Sequence, residues 1–227
     1  MKKKLRIAAF AVSFAAAAGS ALWVLKKREQ QTRLRPVRVA CVGDSITFGH
    51  GTEPRERKCY PHLLQQHLGK GWEVKNFGVN GSIIQFSGDL PYAATDALFD
   101  SLDYEPDVLV FMLGTNDSKS HNWTSPEIIR TDYAQLLEGY REGNPKIQIV
   151  LCTCAAVFDN GFDIQESRVS QVNGIVRTIA EERGYPLVDV HALTLPNPQW
   201  FPDGVHPNND GAAAIAEEVA RTLLGKA

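Results

Sequence analysis

Val37-Arg38-Val39-Ala40-Cys41-Val42-Gly43-Asp44-Ser45-Ile46-Thr47 decides the fold. Val37 to Val42 is a nearly continuous apolar run, which is how a strand reads when both faces of its sheet are covered. Glycine, aspartate and serine follow at once, so the chain turns and leaves a hydroxyl at the end of a buried strand. Working outward, the same apolar signal returns at Trp72 to Phe77, Val108 to Leu113, Ile147 to Thr153 and Leu187 to Val190. Helical patterns fill the gaps, at about Tyr60 to Leu68, Tyr92 to Leu102, Pro126 to Tyr140, Ile164 to Arg183 and Gly211 to Leu224. Ser125-Pro126 suits a helix entry and Gly184 a helix stop. Five strands alternating with five helices predict an α/β domain, a three-layer α/β/α sandwich around a five-stranded parallel sheet. In such sheets ligands bind beyond the carboxyl ends of the strands.

The front of the chain is different. Residues 7–25 carry no charge, Lys2, Lys3, Lys4 and Arg6 precede them, and Lys26, Lys27 and Arg28 follow. As a helix they would measure about 28 Å, close to the hydrocarbon thickness of a bilayer. An uncleaved membrane anchor is the favoured reading. A cleaved signal is the rival, since Ala15 to Ala21 offers small residues for cleavage; a soluble helix is the third. Residues 1–35 are therefore expected to be a membrane anchor or signal segment plus a basic linker, and 36–227 the folded domain. That domain would lie outside the cytoplasm, either tethered or secreted. Basic residues at both ends leave its orientation open.

Of 24 Lys+Arg and 26 Asp+Glu in the whole chain, residues 1–35 hold nine basic and one acidic, so the remainder has 15 against 25. A domain with a net charge near −10 by this count disfavours nucleic acid as a partner. The basic collar around residues 7–25 suits an anionic membrane surface. Cys41, Cys59, Cys152 and Cys154 lack the clustered spacing of a metal site or a disulfide framework and are expected to be buried thiols. Cys59 is expected in a loop, and Cys152 and Cys154, alternating on the fourth strand, on one side of it.

Three further polar clusters follow later strands or precede the last helix: Asn76 to Gly81, Gly114-Thr115-Asn116-Asp117 and Asp203-Gly204-Val205-His206-Pro207. A serine hydroxyl is a weak nucleophile unless a base, itself oriented by a third group, takes its proton. Among six histidines His206 is the best placed, with Asp203 three residues before it; His191, near Asp189, is the rival base. Each cluster alone is also an ordinary turn. Asp44 is expected to shape its turn rather than react. The loop Ala155 to Asp163, with Gly161 as a possible hinge, is either a pocket wall or a plain surface connection.

Taken in order, these four blocks resemble those of the SGNH, or GDSL, hydrolase family, over about residues 37–222. Gly43-Asp44-Ser45 is similar to the family's nucleophile block, Asn76 to Gly81 to its glycine block, Gly114 to Asp117 to its asparagine block and Asp203 to His206 to its acid-base block. The resemblance implies a flavodoxin-like strand order and a Ser45, Asp203, His206 triad. It also implies an oxyanion hole from the N–H groups of Ser45 and Gly81 and the Asn116 amide, with Gly78 the less favoured register. No cofactor or metal is expected.

The expected reaction is hydrolysis of short-chain esters, acetyl above all, through an acyl-enzyme. The substrate would be a small-molecule or glycan ester, such as one in the cell envelope. Trp123 and Trp200, near the third and fourth blocks in sequence, are expected to stack on sugar rings or else to be packing residues. The alternatives are a lysophospholipase or thioesterase acting on lipid acyl esters, a catalytically silent glycan-binding module and, less favoured, a metallo-hydrolase.

Overall fold

A computed structural model describes residues 35–225. The apolar segment read as an anchor or signal lies outside the described residues. Among the described residues, no helix is long and apolar enough to cross a membrane.

Five strands form one sheet: β1 (Val37–Gly43), β2 (Trp72–Gly78), β3 (Val108–Met112), β4 (Gln148–Cys152) and β5 (Leu187–Val188). All neighbours are parallel, in the order β2-β1-β3-β4-β5. This is the expected α/β arrangement, with helices on both faces. Side chains alternate across it as strand geometry requires. Ala40, Val42, Leu109, Phe111, Ile149 and Leu151 point into one core, and Val39, Cys41, Val108, Val110, Met112, Val150 and Cys152 into the other.

The helices present matching stripes. On the first face α5 (Pro126–Gly143) buries Ile129, Tyr133, Leu136, Leu137 and Tyr140, and α6 (Glu166–Arg183) buries Val169, Val172, Val176 and Ile179. On the second, α3 (Tyr60–Leu68) buries Tyr60, Leu64 and Leu68, and α8 (Asn209–Leu223) buries Ala212, Ile215, Ala216 and Val219. These spacings of three and four residues place one apolar stripe against the sheet. The short helices α1 (Ser45–Phe48), α2 (Arg55–Lys58), α4 (Asp96–Asp103) and α7 (Val190–Thr194) complete the described set.

Several boundaries differ from the sequence reading. The fifth strand is two residues long, because Asp189 leaves it and caps α7, accepting the Ala192 N–H at 3.1 Å. The helix expected at Tyr92 to Leu102 is a 3-10 turn at Tyr92–Ala94, an extended Thr95 and then α4. Cys152 and Cys154 do not share a side. The strand ends at Cys152, and the turn beyond it carries Cys154 into the opposite core. All four cysteines are free and buried. Cys59 sits between α2 and α3.

The register fixes where chemistry can occur. Gly43 pairs with Gly78 on one side and Met112 on the other, so β1, β2 and β3 end at one level. Ser45, Gly81 and Asn116 therefore leave the sheet along one edge.

Candidate active site

Gly43 is required by packing. A Cβ there would lie 2.2 Å from Thr47 Oγ1 and 2.3 Å from the Met112 carbonyl, so the chain turns tightly against β3. Asp44 caps the turn, its Oδ1 accepting the Ile46 N–H at 3.0 Å. It is fully buried, and that burial pushes its carboxyl above the ordinary range despite the Ile46 hydrogen bond. Ser45 is thus the first residue of α1. Its carbonyl accepts the N–H groups of Gly49 and His50. The hydroxyl reaches the other way, 2.9 Å from Nε2 of His206.

The exit of β2 packs on this turn. Asn76 donates to the Thr47 carbonyl at 2.8 Å, and a Cβ at Gly78 would meet Phe48 N at 2.1 Å. Gly78 is thereby a close-packing residue beneath the serine turn. Gly81 has φ +81, a backbone conformation that favours glycine, and a Cβ there would meet nothing within 4 Å. Of the two registers, Gly81 lines the cleft together with Ser45.

Beyond β3, Asn116 opens a 3-10 turn and donates one amide N–H to the Ser82 carbonyl at 3.2 Å. A primary amide has a second N–H to offer. Asp117, fully buried, accepts from Ile84 N, Gln85 N and Gln85 Nε2. It ties the segment after Gly81 to the Asn116 turn. Burial raises its carboxyl to about 7, against the pull of those N–H groups.

Asp203 and His206 close the set. Asp203 Oδ1 accepts the N–H of Val205 at 2.9 Å and of His206 at 2.8 Å, while Oδ2 is 2.8 Å from His206 Nδ1. A carboxylate at Nδ1 holds the proton there and leaves the Nε2 lone pair toward Ser45. Burial alone would raise the Asp203 carboxyl; the hydrogen bonds from His206 and Val205 outweigh it and hold the carboxyl below the ordinary range. Gly204 allows the turn, with φ +82 and no room for a Cβ, which would lie 2.1 Å from the Asp159 carbonyl.

The cleft over these groups has a volume of about 200 Å³ and is lined by Ser45, His50, Asn80, Gly81, Asn116, Lys119, Phe162, Ile164 and His206. The structure thus brings together Ser45, Gly81, Asn116, His206 and, behind the imidazole, Asp203. His191 is elsewhere, its Nε2 2.6 Å from Glu166 Oε1. The two tryptophans are also elsewhere. Trp123 packs against the first core beneath Arg168, whose guanidinium carbon is 5.3 Å from the ring, and Trp200 packs against the second core and Gly211. Neither lines the cleft itself.

Sequence reasoning did not single out His50, Asn80, Lys119, Phe162 or Ile164. Faint signals existed. His50 follows the glycine that ends α1, Asn80 adjoins Gly81, and Phe162 lies in the loop marked as a possible wall.

The chain matches the GDSL-like lipase/acylhydrolase family over residues 41–214 and belongs to that family. This is a class of carboxylic ester hydrolases. More particularly, it is similar to an acetylxylan esterase of Xylanibacter ruminicola, 36% identical over 82% of this chain and 43% of the relative. It is also similar to a multidomain esterase of Ruminococcus flavefaciens, 23% identical over 77% of this chain and 27% of the relative. It therefore spans less than half the length of either curated relative. Among solved structures, a carbohydrate acetylesterase family member from Sinorhizobium meliloti superposes with a TM-score of 0.69 at 21% identity, covering 83% of this chain and 99% of that one. A lipase/acylhydrolase from Enterococcus faecalis gives 0.67 at 18%, covering 83% and 96%. At these identities the likeness concerns the fold.

Proposed function

We propose that this chain is a serine esterase that removes short acyl groups, acetyl above all, from a glycan. The observation that carries the reading is the relay of Ser45 Oγ, His206 Nε2, His206 Nδ1 and Asp203 Oδ2, joined by contacts of 2.9 and 2.8 Å. His206 takes the Ser45 proton as Oγ attacks the ester carbonyl. The backbone N–H groups of Ser45 and Gly81 and the free N–H of Asn116 receive the developing oxyanion. His206 then protonates the leaving alcohol. Water, activated by the same imidazole, hydrolyses the acyl-enzyme.

The small cleft supports a short acyl group. At about 200 Å³ it falls below the roughly 300–1,000 Å³ of sites that enclose a drug-sized ligand. The similarity to an acetylxylan esterase supports a glycan as the alcohol. Residues 7–25 carry a further part of the proposal, that a membrane tether holds the domain outside the cytoplasm. Sedimentation with membranes that is lost on deleting residues 1–35 is the expected result; equal partition of both forms rejects the tether.

The test of the reaction pairs the full chain with its Ser45→Ala variant on p-nitrophenyl esters from acetyl to decanoyl and on acetylated xylo-oligosaccharides. Turnover greatest for acetyl and abolished in the variant is expected. A preference for decanoyl selects the lipid-ester alternative, and equal turnover by both proteins removes Ser45 from the mechanism.

A further inference from the structure

The relay leaves one imidazole without a task. His50 is exposed and lines the cleft, and its ring centroid lies 4.2 Å from that of His206, the planes tilted by 49°. This closeness is built into the backbone. The His50 N–H donates to the Ser45 carbonyl at 2.9 Å. Gly51, at φ +87, lets the chain lie so near that a Cβ there would be 3.0 Å from His206 Cβ and 2.8 Å from the Pro207 carbonyl. Metal-binding atoms of His50, Asp203 and His206 all fall within 4.8 Å of one another. Among the described residues, no other three His, Cys, Asp or Glu side chains converge in this way.

We propose that His50 and His206, with Asp203, form an inhibitory site for a divalent cation of the zinc class. Two imidazole nitrogens suit zinc or copper and not magnesium or calcium, which prefer oxygen ligands throughout. Zinc–nitrogen bonds of about 2.0–2.1 Å require the two donor nitrogens to approach to roughly 3.4 Å. The exposed His50 side chain is free to make that adjustment while His206 stays fixed between Asp203 and Ser45. Asp203, on Nδ1, then acts as the orienting carboxylate that metal-bound histidines commonly have. Ser45 Oγ, 2.9 Å from Nε2, and water complete the coordination. The cation occupies the lone pair that would accept the Ser45 proton, so metal binding and ester hydrolysis exclude each other. The inhibition rests on the proposed esterase reading; the binding does not.

Two measurements separate the two. In the first, chelator-treated full chain hydrolyses p-nitrophenyl acetate in rising ZnCl2, with MgCl2 as control. Loss of turnover with zinc and none with magnesium is expected. The zinc needed for half inhibition should rise about tenfold or more in His50→Phe, which keeps an aromatic ring against His206 and removes the nitrogens. In the second, calorimetry titrates ZnCl2 into full-chain Ser45→Ala, which keeps both imidazoles and Asp203 and lets water take the place of the hydroxyl, and into Ser45→Ala with His50→Phe. The double variant should bind zinc at this site about tenfold or more weakly. Activation by zinc, or an unchanged zinc affinity in the double variant, overturns the proposal. Should no ester be hydrolysed, calorimetry still decides the site, and that failure counts against the esterase reading alone.

Discussion

Asp203 and Asp117 each accept three N–H groups at the same end of the sheet, yet their carboxyls are shifted in opposite directions. Asp203 receives Val205 N, His206 N and His206 Nδ1; Asp117 receives Ile84 N, Gln85 N and Gln85 Nε2. The difference is water. The Asp203 side chain keeps 37% of its surface exposed, whereas Asp117 has none. Hydrogen bonds win at Asp203 and hold its carboxyl low, while burial wins at Asp117 and raises its carboxyl to about 7. A carboxylate that must offset an imidazolium during turnover needs a dependable charge. One that only ties a loop does not, and can sit where charge is costly.

The largest effect that would break this comparison is on catalysis. Asp203→Asn keeps the shape of the turn but offers His206 Nδ1 an amide, which favours the wrong tautomer. Turnover should fall by about 10⁴ with little change in KM. If Asp203→Asn and Asp117→Asn lose turnover equally, the distinction between relay and loop tie is void.

Next in size is Asn116→Ala. Its amide bonds Ser82 and faces the cleft, and removal of one oxyanion donor should cost about 10²–10³ in kcat. Measuring KM alongside sharpens the result, because a donor used only in the transition state leaves KM nearly unchanged.

Asp117→Asn should cost about tenfold in activity, by loosening the segment after Gly81. Its clearer signature is stability. A carboxyl whose folded pKa is about 7, above the ordinary value of 3.8, binds its proton more tightly when folded. Its contribution is complete below the unfolded value and is lost as pH rises through about 7. Subtracting the thermal midpoints of Asp117→Asn from those of the parent should reveal a component that grows as pH falls from 7 to about 4. A flat difference contradicts the upward shift that burial gives the Asp117 carboxyl.

What could be read from the sequence divides along the line between local and distant causes. The central strands were legible because each is apolar on both faces, and α3 kept its expected limits because Gly69 follows Leu68. The fifth strand was overdrawn, since Leu187, Val188 and Val190 are apolar whichever conformation they take, and the Asp189 cap acts through a hydrogen bond that hydropathy does not register. Cys152 and Cys154 were placed on one side by a period that stops where the strand stops. Around the cleft, Ser45, Gly81, Asn116 and His206, with Asp203 behind the imidazole, sit in turns whose glycines mark them. His50 and Phe162 also adjoin glycines, Gly49, Gly51 and Gly161, but they and Ile164 lie outside the four blocks. His50 and Phe162 meet His206 only because separate loops converge on it, at centroid distances of 4.2 and 5.3 Å. The tryptophans are the converse case, near the blocks in sequence and outside the cleft lining in space.

The smallest expected effect concerns Trp123. Its ring is half-buried against the first core and lies under Arg168, so Trp123→Phe keeps most of the packing and loses part of a cation–π contact worth about 0.5–1 kcal/mol. Because the ring does not line the cleft, kcat/KM on acetylated xylo-oligosaccharides should change by less than about twofold, within 0.4 kcal/mol of transition-state binding. A loss of tenfold or more on the oligosaccharide, with p-nitrophenyl acetate unaffected, would mean that a long glycan extends past the cleft to Trp123. The region of substrate recognition would then exceed the triad and its oxyanion donors. An equal, small loss on both substrates instead places Trp123 with the packing residues, and confines discrimination to the groups that line the cleft.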